Sequence, residues 1–270
     1  MSYKTILVHL EHVLSMRKCI DVAITLAKQD DAHLIGVATT GISRFVYSDH
    51  SALFDKAIQT LTDRAKQLLD DFERICRMAE LRSYEKKLVH DEAAAGLIVP
   101  ARYCDLLVVS QTAQDPLQLV SPLPEYVMLN SARPVLVVPN IDKSIELDTH
   151  ILVSWNGSLE ATRAITYSLP LLKRAKEVTV AIFQTSSPYR VLSETPGPDV
   201  AAWLARHGII VDIVEEYLRQ DIDEAILELA SRRQSGLIVM GGYGHPRFRE
   251  LLVGGATMDT LNNSTLPIFI

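Results

Sequence analysis

Short apolar runs alternate along the whole chain with stretches of helical periodicity. In the first half the apolar runs fall near 4–10, 33–38, 84–89, 105–110 and 134–138, and the amphipathic stretches at 16–29, 51–80, 91–102 and about 123–131. In the second half the runs fall near 150–155, 178–183, 209–214, 236–240 and 267–270, with helical patterns at 158–173, 197–207, 221–233 and about 256–263. Apolar runs this short, bounded by polar residues, predict strands buried on both faces. The helix ending at His207 is followed by Gly208, placed where a left-handed residue closes a helix. Strand–helix alternation with right-handed crossovers predicts an α/β fold: open parallel sheets of five strands, covered by helices on both faces. Ligands of such sheets bind beyond the carboxyl ends of the strands, where the strand order reverses.

The chain repeats itself. Ile6-Leu7-Val8 matches Ile151-Leu152-Val153, Leu106-Leu107-Val108-Val109 matches Leu237-Ile238-Val239-Met240, and Arg133-Pro134-Val135 matches Leu266-Pro267-Ile268. The offsets are 145, 131 and 133 residues, so the first half carries an early insertion, expected between Gly41 and Ser51. Asn140 to Thr149 is polar and reads as the linker. The expected domains are therefore residues 1–142 and 148–270, in keeping with two domains for 270 residues.

Composition narrows the classes. Apolar residues make up 48% and charged residues 22%, which excludes a disordered or fibrous chain. Lys and Arg neither dominate nor cluster, and the net charge is −6, so nucleic acid is not an expected partner. No apolar run approaches the ~18–20 residues of a membrane span, and the start lacks a signal-peptide pattern. The three cysteines, Cys19, Cys76 and Cys104, are odd in number and far apart, so they form no disulfide framework or metal knuckle. They are expected to be buried apolar fillers. A cytoplasmic location is the expectation.

The densest chemistry follows the strand Leu237–Met240. Five of the chain's 12 glycines lie in the 17 residues from Gly241 to Thr257. Glycine lets backbone approach a ligand closely. Amides freed at such turns, and at the start of the helix near Ala256, present donors to an anion such as phosphate. His245, Arg247 and Thr257 are candidate side-chain donors. A tight strand–helix turn without ligand is the competing reading. No Gly-Lys-Ser/Thr follows, which excludes a Walker loop, and the dinucleotide fingerprint belongs after a first strand.

The spacing Gly241-x2-Gly244-x9-Gly254, with Val153-Ser154-Trp155-Asn156-Gly157-Ser158 at the end of the half's first strand, resembles the nucleotide loop of the universal stress protein family. The likeness extends over the whole chain as two tandem copies. It implies two Rossmann-like domains of the adenine nucleotide alpha hydrolase-like type, and ATP as ligand, with Mg2+ as an accompanying ion. Carried onto this chain, it places adenine and ribose at Ser154, Trp155, Asn156 and Phe183, at the ends of the first two strands. It places phosphates at Gly241, Gly244, Gly254, Gly255 and Ala256, with Thr257 next to them; Met240, His245 and Arg247 complete the expected nucleotide-binding residues. Two residues depart from the family pattern. Gly255 stands where a hydroxyl residue is usual, a loss of about 1 kcal/mol and a few-fold in affinity. Asn156 stands where many members have Asp, and it cannot act as a carboxylate. Trp155 is either a stacking residue for the base or part of the core, and Trp203 reads as packing.

The matching loop of the first half, from Ser110 to Glu125, has no glycine. Pro116, Pro122 and Pro124 remove amide donors, Asp115 and Glu125 repel phosphate, and Glu11 replaces Asn156. This half is expected to have lost the nucleotide site and to serve as an intramolecular partner of the second. A non-phosphate ligand there stays open. His9 and His12 suggest metal ligands, but no further cluster completes a set, and a structural histidine pair is favoured. No nucleophile–base signature is present, and Ser158 reads as a helix cap. Three functions remain: a cytoplasmic ATP-binding stress protein that regulates unknown protein partners, a slow adenine-nucleotide hydrolase, or a non-nucleotide interaction module. Homodimerisation through strands near 134–138 and 267–270 is compatible with each.

Overall fold

The strands with a partner on either side within their own unit are buried almost throughout, which is why their sequences are continuous apolar runs. The computed structural model describes residues 2–11, 16–43, 52–112, 123–184, 196–218, 221–242 and 256–270. The chain divides into two units, Ser2–Ile141 and Asp142–Ile270. The first unit runs β1 (Thr5–Leu10), α1 (Met16–Asp30), β2 (His33–Thr39), α2 (Ala52–Met78), β3 (Tyr84–Val89), α3 (Ala93–Ala101), β4 (Leu106–Ser110), α4 (Leu123–Asn130) and β5 (Val135–Val138). The second runs β6 (His150–Ser154), α5 (Leu159–Tyr167), α6 (Leu169–Leu172), β7 (Glu177–Gln184), α7 (Pro196–Arg206), β8 (Asp212–Tyr217), α8 (Ile222–Arg232), β9 (Ser235–Met240), α9 (Ala256–Asn263) and β10 (Ile268–Phe269).

Within the first unit the parallel strand order is β3-β2-β1-β4-β5, and within the second it is β8-β7-β6-β9-β10. The direction of winding reverses between β1 and β4, and again between β6 and β9. Right-handed crossovers then put α1 and α2 on one face of the first sheet and α3 and α4 on the other, and in the second unit α5–α7 on one face and α8 and α9 on the other. Close packing needs glycine at one crossing: the Phe72 ring of α2 lies where a side chain on Gly36 of β2 would project. The edge strands β3 and β8 are half exposed and carry charged residues, as unpaired edges require.

Three expectations are corrected. The helix expected over 158–173 is two helices, because Pro170 has no amide proton to continue the ladder. Ser168 closes α5 with its N–H on the Ala164 carbonyl and its hydroxyl on the Ile165 carbonyl. The strand expected at 209–214 begins at Asp212. Ile209 belongs to the end of α7: its N–H reaches the Leu204 carbonyl, the Gly208 N–H reaches Ala205, and Gly208 has φ +79°. That is a Schellman closure, in which the apolar residue after the glycine packs back on the helix. Lastly, the extra residues of the first half lie in a helix rather than between Gly41 and Ser51. α2 has 27 residues where α7 has 11.

Candidate functional site

The carboxyl ends of β6 and β9 lie side by side, with Ser154 opposite Met240. Ser154 also pairs with Ala181 of β7, and the Trp155 N–H extends that pairing to the Ala181 carbonyl at 2.8 Å. The chain then turns sharply. The Asn156 side-chain oxygen accepts the Ser158 N–H at 3.0 Å, Gly157 sits at φ +72°, and the Ser158 hydroxyl accepts the Ala161 N–H at 3.1 Å. This Asx turn, left-handed glycine and N-cap together launch α5. Asn156 is therefore committed through its oxygen and keeps its NH2 group for a ligand. Ser158→Ala should cost about 1 kcal/mol, read as a lowered denaturation midpoint at unchanged slope.

Gly241 follows directly. A side chain there would sit 2.5 Å from the Ala161 nitrogen and 2.8 Å from the Glu160 carbonyl carbon. The end of β9 thus lies against the first turn of α5, an approach open only to glycine. Two elements meet at the switch point through backbone alone, which brings Ser154, Trp155, Asn156, Met240 and Gly241 to one end of the sheet. Phe183 lies on the adjacent β7, and its side chain is buried, as is that of Met240. Trp155 is half-buried. Ala256 and Thr257 open α9. Gly244, His245, Arg247, Gly254 and Gly255 lie outside the described residues.

The first half has a different surface at the equivalent place. Glu11 stands where Asn156 does, and Ser110 where Gly241 does. Burial raises the Glu11 carboxyl above its ordinary range, and a hydrogen bond from Ser110 partly offsets it. The Ser110 hydroxyl also lies 3.2 Å from the Cys19 sulfur. Burial pushes that thiol up to about 12, as it does Cys76 and Cys104, and all three cysteines are free and buried. Glu125, in the first turn of α4, is buried, and burial raises its carboxyl too. His9 is buried, and burial alone lowers its imidazole to about 4. His12 lies outside the described residues. Among the described residues no group of three or more His, Cys, Asp or Glu is placed to hold a metal ion. Sequence reading placed Ser110 at the start of the loop matching Gly241 but gave no sign of its hydroxyl contacts with Glu11 and Cys19.

Comparison with known proteins decides the lineage of the second half. Residues 149–270 match the family model of the universal stress protein family. The second half of the chain belongs to that family. A curated relative, universal stress protein Slr1230 of Synechocystis, is 23% identical over 146 residues. That alignment covers 53% of this chain and 48% of the relative, so it spans about half the length of the curated protein it matches. The likeness of fold extends further. A universal stress protein from Archaeoglobus fulgidus superposes with a TM-score of 0.75 at 15% identity, covering 98% of this chain and 94% of its own. A protein from Pseudomonas aeruginosa UCBPP-PA14 described as a universal stress protein gives 0.59 at 18% identity, over 99% and 92%. At these identities the likeness shows the fold: both halves have the tandem α/β architecture of universal stress proteins. Among the described residues no helix is long and apolar enough to cross a membrane.

Proposed function

We propose that the second half binds ATP or a related adenine nucleotide and that the chain acts as a regulatory stress protein rather than a dedicated enzyme. The observation that supports this most is the meeting of the β6 turn with Gly241 at the switch point, inside a universal stress protein domain. The turn supplies the Asn156 amide for base or ribose. The backbone from Gly241 onward, with Gly244, Gly254, Gly255 and the start of α9, supplies amide donors for phosphate. His245, Arg247 and Thr257 add side-chain donors, Ser154, Phe183 and Met240 form the floor, and Mg2+ accompanies the phosphates. The committed oxygen of Asn156 supports a binding role, since no carboxylate stands there to act as base. The glycine-free loop and Glu125 support a first half without nucleotide, acting from residues 1–142 as partner to residues 148–270 in the cytoplasm.

Unfolding temperature of protein stripped of nucleotide tests the reading, with ATP, ADP, AMP and buffer, each with and without Mg2+. A ligand of the native state at ten times its Kd adds about 1.4 kcal/mol. For a domain of this size that corresponds to a rise of about 3–6 °C. The rise should vanish in a Gly244→Val/Gly254→Val variant that still unfolds cooperatively. No rise with any nucleotide at millimolar concentration overturns the proposal. Release of phosphate that depends on His245 or Arg247 would favour the hydrolase instead.

A further inference from the structure

We propose that the carboxyl end of the β1–β4 pair in the first half is a binding site for a small primary ammonium compound, held by Glu125, Thr112 and His9. In this half these are the only described residues that bury a side-chain nitrogen or oxygen with no hydrogen-bond partner: Glu125 through Oε2, Thr112 through Oγ1, and His9 through both ring nitrogens. His9 and Glu125 are 2% and 4% exposed, so bulk water does not serve them. Folded proteins leave few such groups, and each one costs the desolvation of its polar atom.

The three are far apart in sequence but share one end of the fold. His9 is the penultimate residue of β1, Thr112 stands two residues beyond the adjacent β4, and Glu125 lies in the first turn of the helix that follows β4. Parallel topology brings the carboxyl ends of strands and the amino ends of the following helices together, and the β1–β4 boundary is where winding reverses. Orphaned groups gathered at a switch point mark a site in a way that scattered ones do not.

Their chemistry selects the guest. A carboxylate oxygen, a hydroxyl and the unprotonated nitrogen of a neutral imidazole are all acceptors. An ammonium group carries three N–H donors, one for each. A phosphate would face Glu125 and the neighbouring Glu11. Burial dominates the shifts of both carboxyls, and no basic side chain offsets it. Arg17, at the start of α1, is instead engaged with Asp21. The described residues offer no set of three metal ligands. An organic ammonium ion supplies both the missing charge and the missing donors. This site is separate from the proposed nucleotide site of the second half.

The test is titration calorimetry on the full chain with putrescine and with methylammonium chloride. Sodium and potassium chloride at matched ionic strength serve as controls. Saturable binding of one amine per chain is expected, weakening about tenfold or more in Glu125→Gln and in Thr112→Val. Affinity should rise with pH across the range in which the Glu125 carboxyl ionises; Glu11, His9, Cys19 and Ser110 are the other polar groups at this end. Heat that is equal in wild type and both variants, equal with potassium, or absent for both amines at tens of millimolar overturns the proposal. ATP binding by Glu125→Gln should be unchanged, which separates this site from the second-half reading.

Discussion

Gly241→Ala is expected to lose both stability and nucleotide affinity, with the two losses sharing one cause. The added carbon would lie 2.5 Å from a backbone nitrogen of α5 and 2.8 Å from a backbone carbon. Neither is the tip of a flexible side chain, so relief requires β9 or α5 to move. Overpacking of this kind costs roughly 1–3 kcal/mol, and the backbone on the far side puts Gly241 near the top of that range. The displaced helix carries the turn Asn156–Ser158 with it. Nucleotide affinity should therefore fall about tenfold or more, at about 1.4 kcal/mol per factor of ten. Denaturant titration gives the first loss, and thermal shift with ATP gives the second. A variant of unchanged stability would contradict the packing. A destabilised variant that binds ATP like wild type would place the nucleotide away from this junction.

The second large effect is acid lability centred on His9, measured without added amine. Its imidazole titrates near 6.5 when unfolded and near 4 in the fold, because burial disfavours the charged ring. Between these values the unfolded chain binds the proton and the native chain does not. Stability from this residue is thus complete above about pH 6.5 and is lost as pH falls toward 4. A shift of this size is worth about 3 kcal/mol at 1.36 kcal/mol per pH unit. His150 acts in the same direction in the second half. It is lowered by burial first, with Arg233 adding to the effect and Glu177 and Asp212 opposing it. Its nitrogens lie 2.7 Å from the Ser235 hydroxyl and 2.8 Å from that of Thr179. Glu11 and Glu125 have the opposite sign, since their carboxyls are raised. They cost stability when ionised and return it as pH falls through their folded values. Urea midpoints from pH 7.5 to 4 should fall steeply for wild type and much less for His9→Leu. That variant should also be more stable at pH 7, since a buried group without partners is replaced by an apolar one. Parallel profiles for the two proteins would show that His9 is solvated.

Much of this was readable before any coordinates. Buried parallel strands need continuous apolar runs, so β1, β4, β5 and β9 announce themselves, and the repeat of those runs gives the two units. Glycine-rich spacing after the fourth strand of the second half pointed to the family to which residues 149–270 belong. The misses have specific causes. Ile209 is apolar because it packs on the end of α7, and no periodicity separates that from a strand position. Ser168 and Pro170 break a helix whose amphipathic pattern continues through them. The insertion lengthens α2 by 16 residues, the difference between 27 and 11, and the added stretch keeps the helical periodicity, which hides its location.

The candidate sites divide in the same way. Local rules suffice for the turn after β6, because Asn156, Gly157 and Ser158 each act on backbone within five residues. Gly241 is different: its need for glycine arises from α5, some eighty residues away, and sequence could read it only as one glycine of a phosphate-binding loop. The first half makes the point most fully. From the sequence, Glu125 was a group that repels phosphate, Glu11 an acidic replacement for Asn156, and His9 half of a histidine pair. Only the tertiary structure shows that the His9 ring nitrogens, the Thr112 hydroxyl and one Glu125 oxygen are buried at one end of one sheet with no partners, because burial and hydrogen bonding belong to pairs of distant segments. Apolar periodicity and turn chemistry, which act over a few residues, determined the α/β elements and the repeat. Which polar groups the fold strands, and where a backbone must pass unobstructed, was decided by segments that meet only once the sheet has formed.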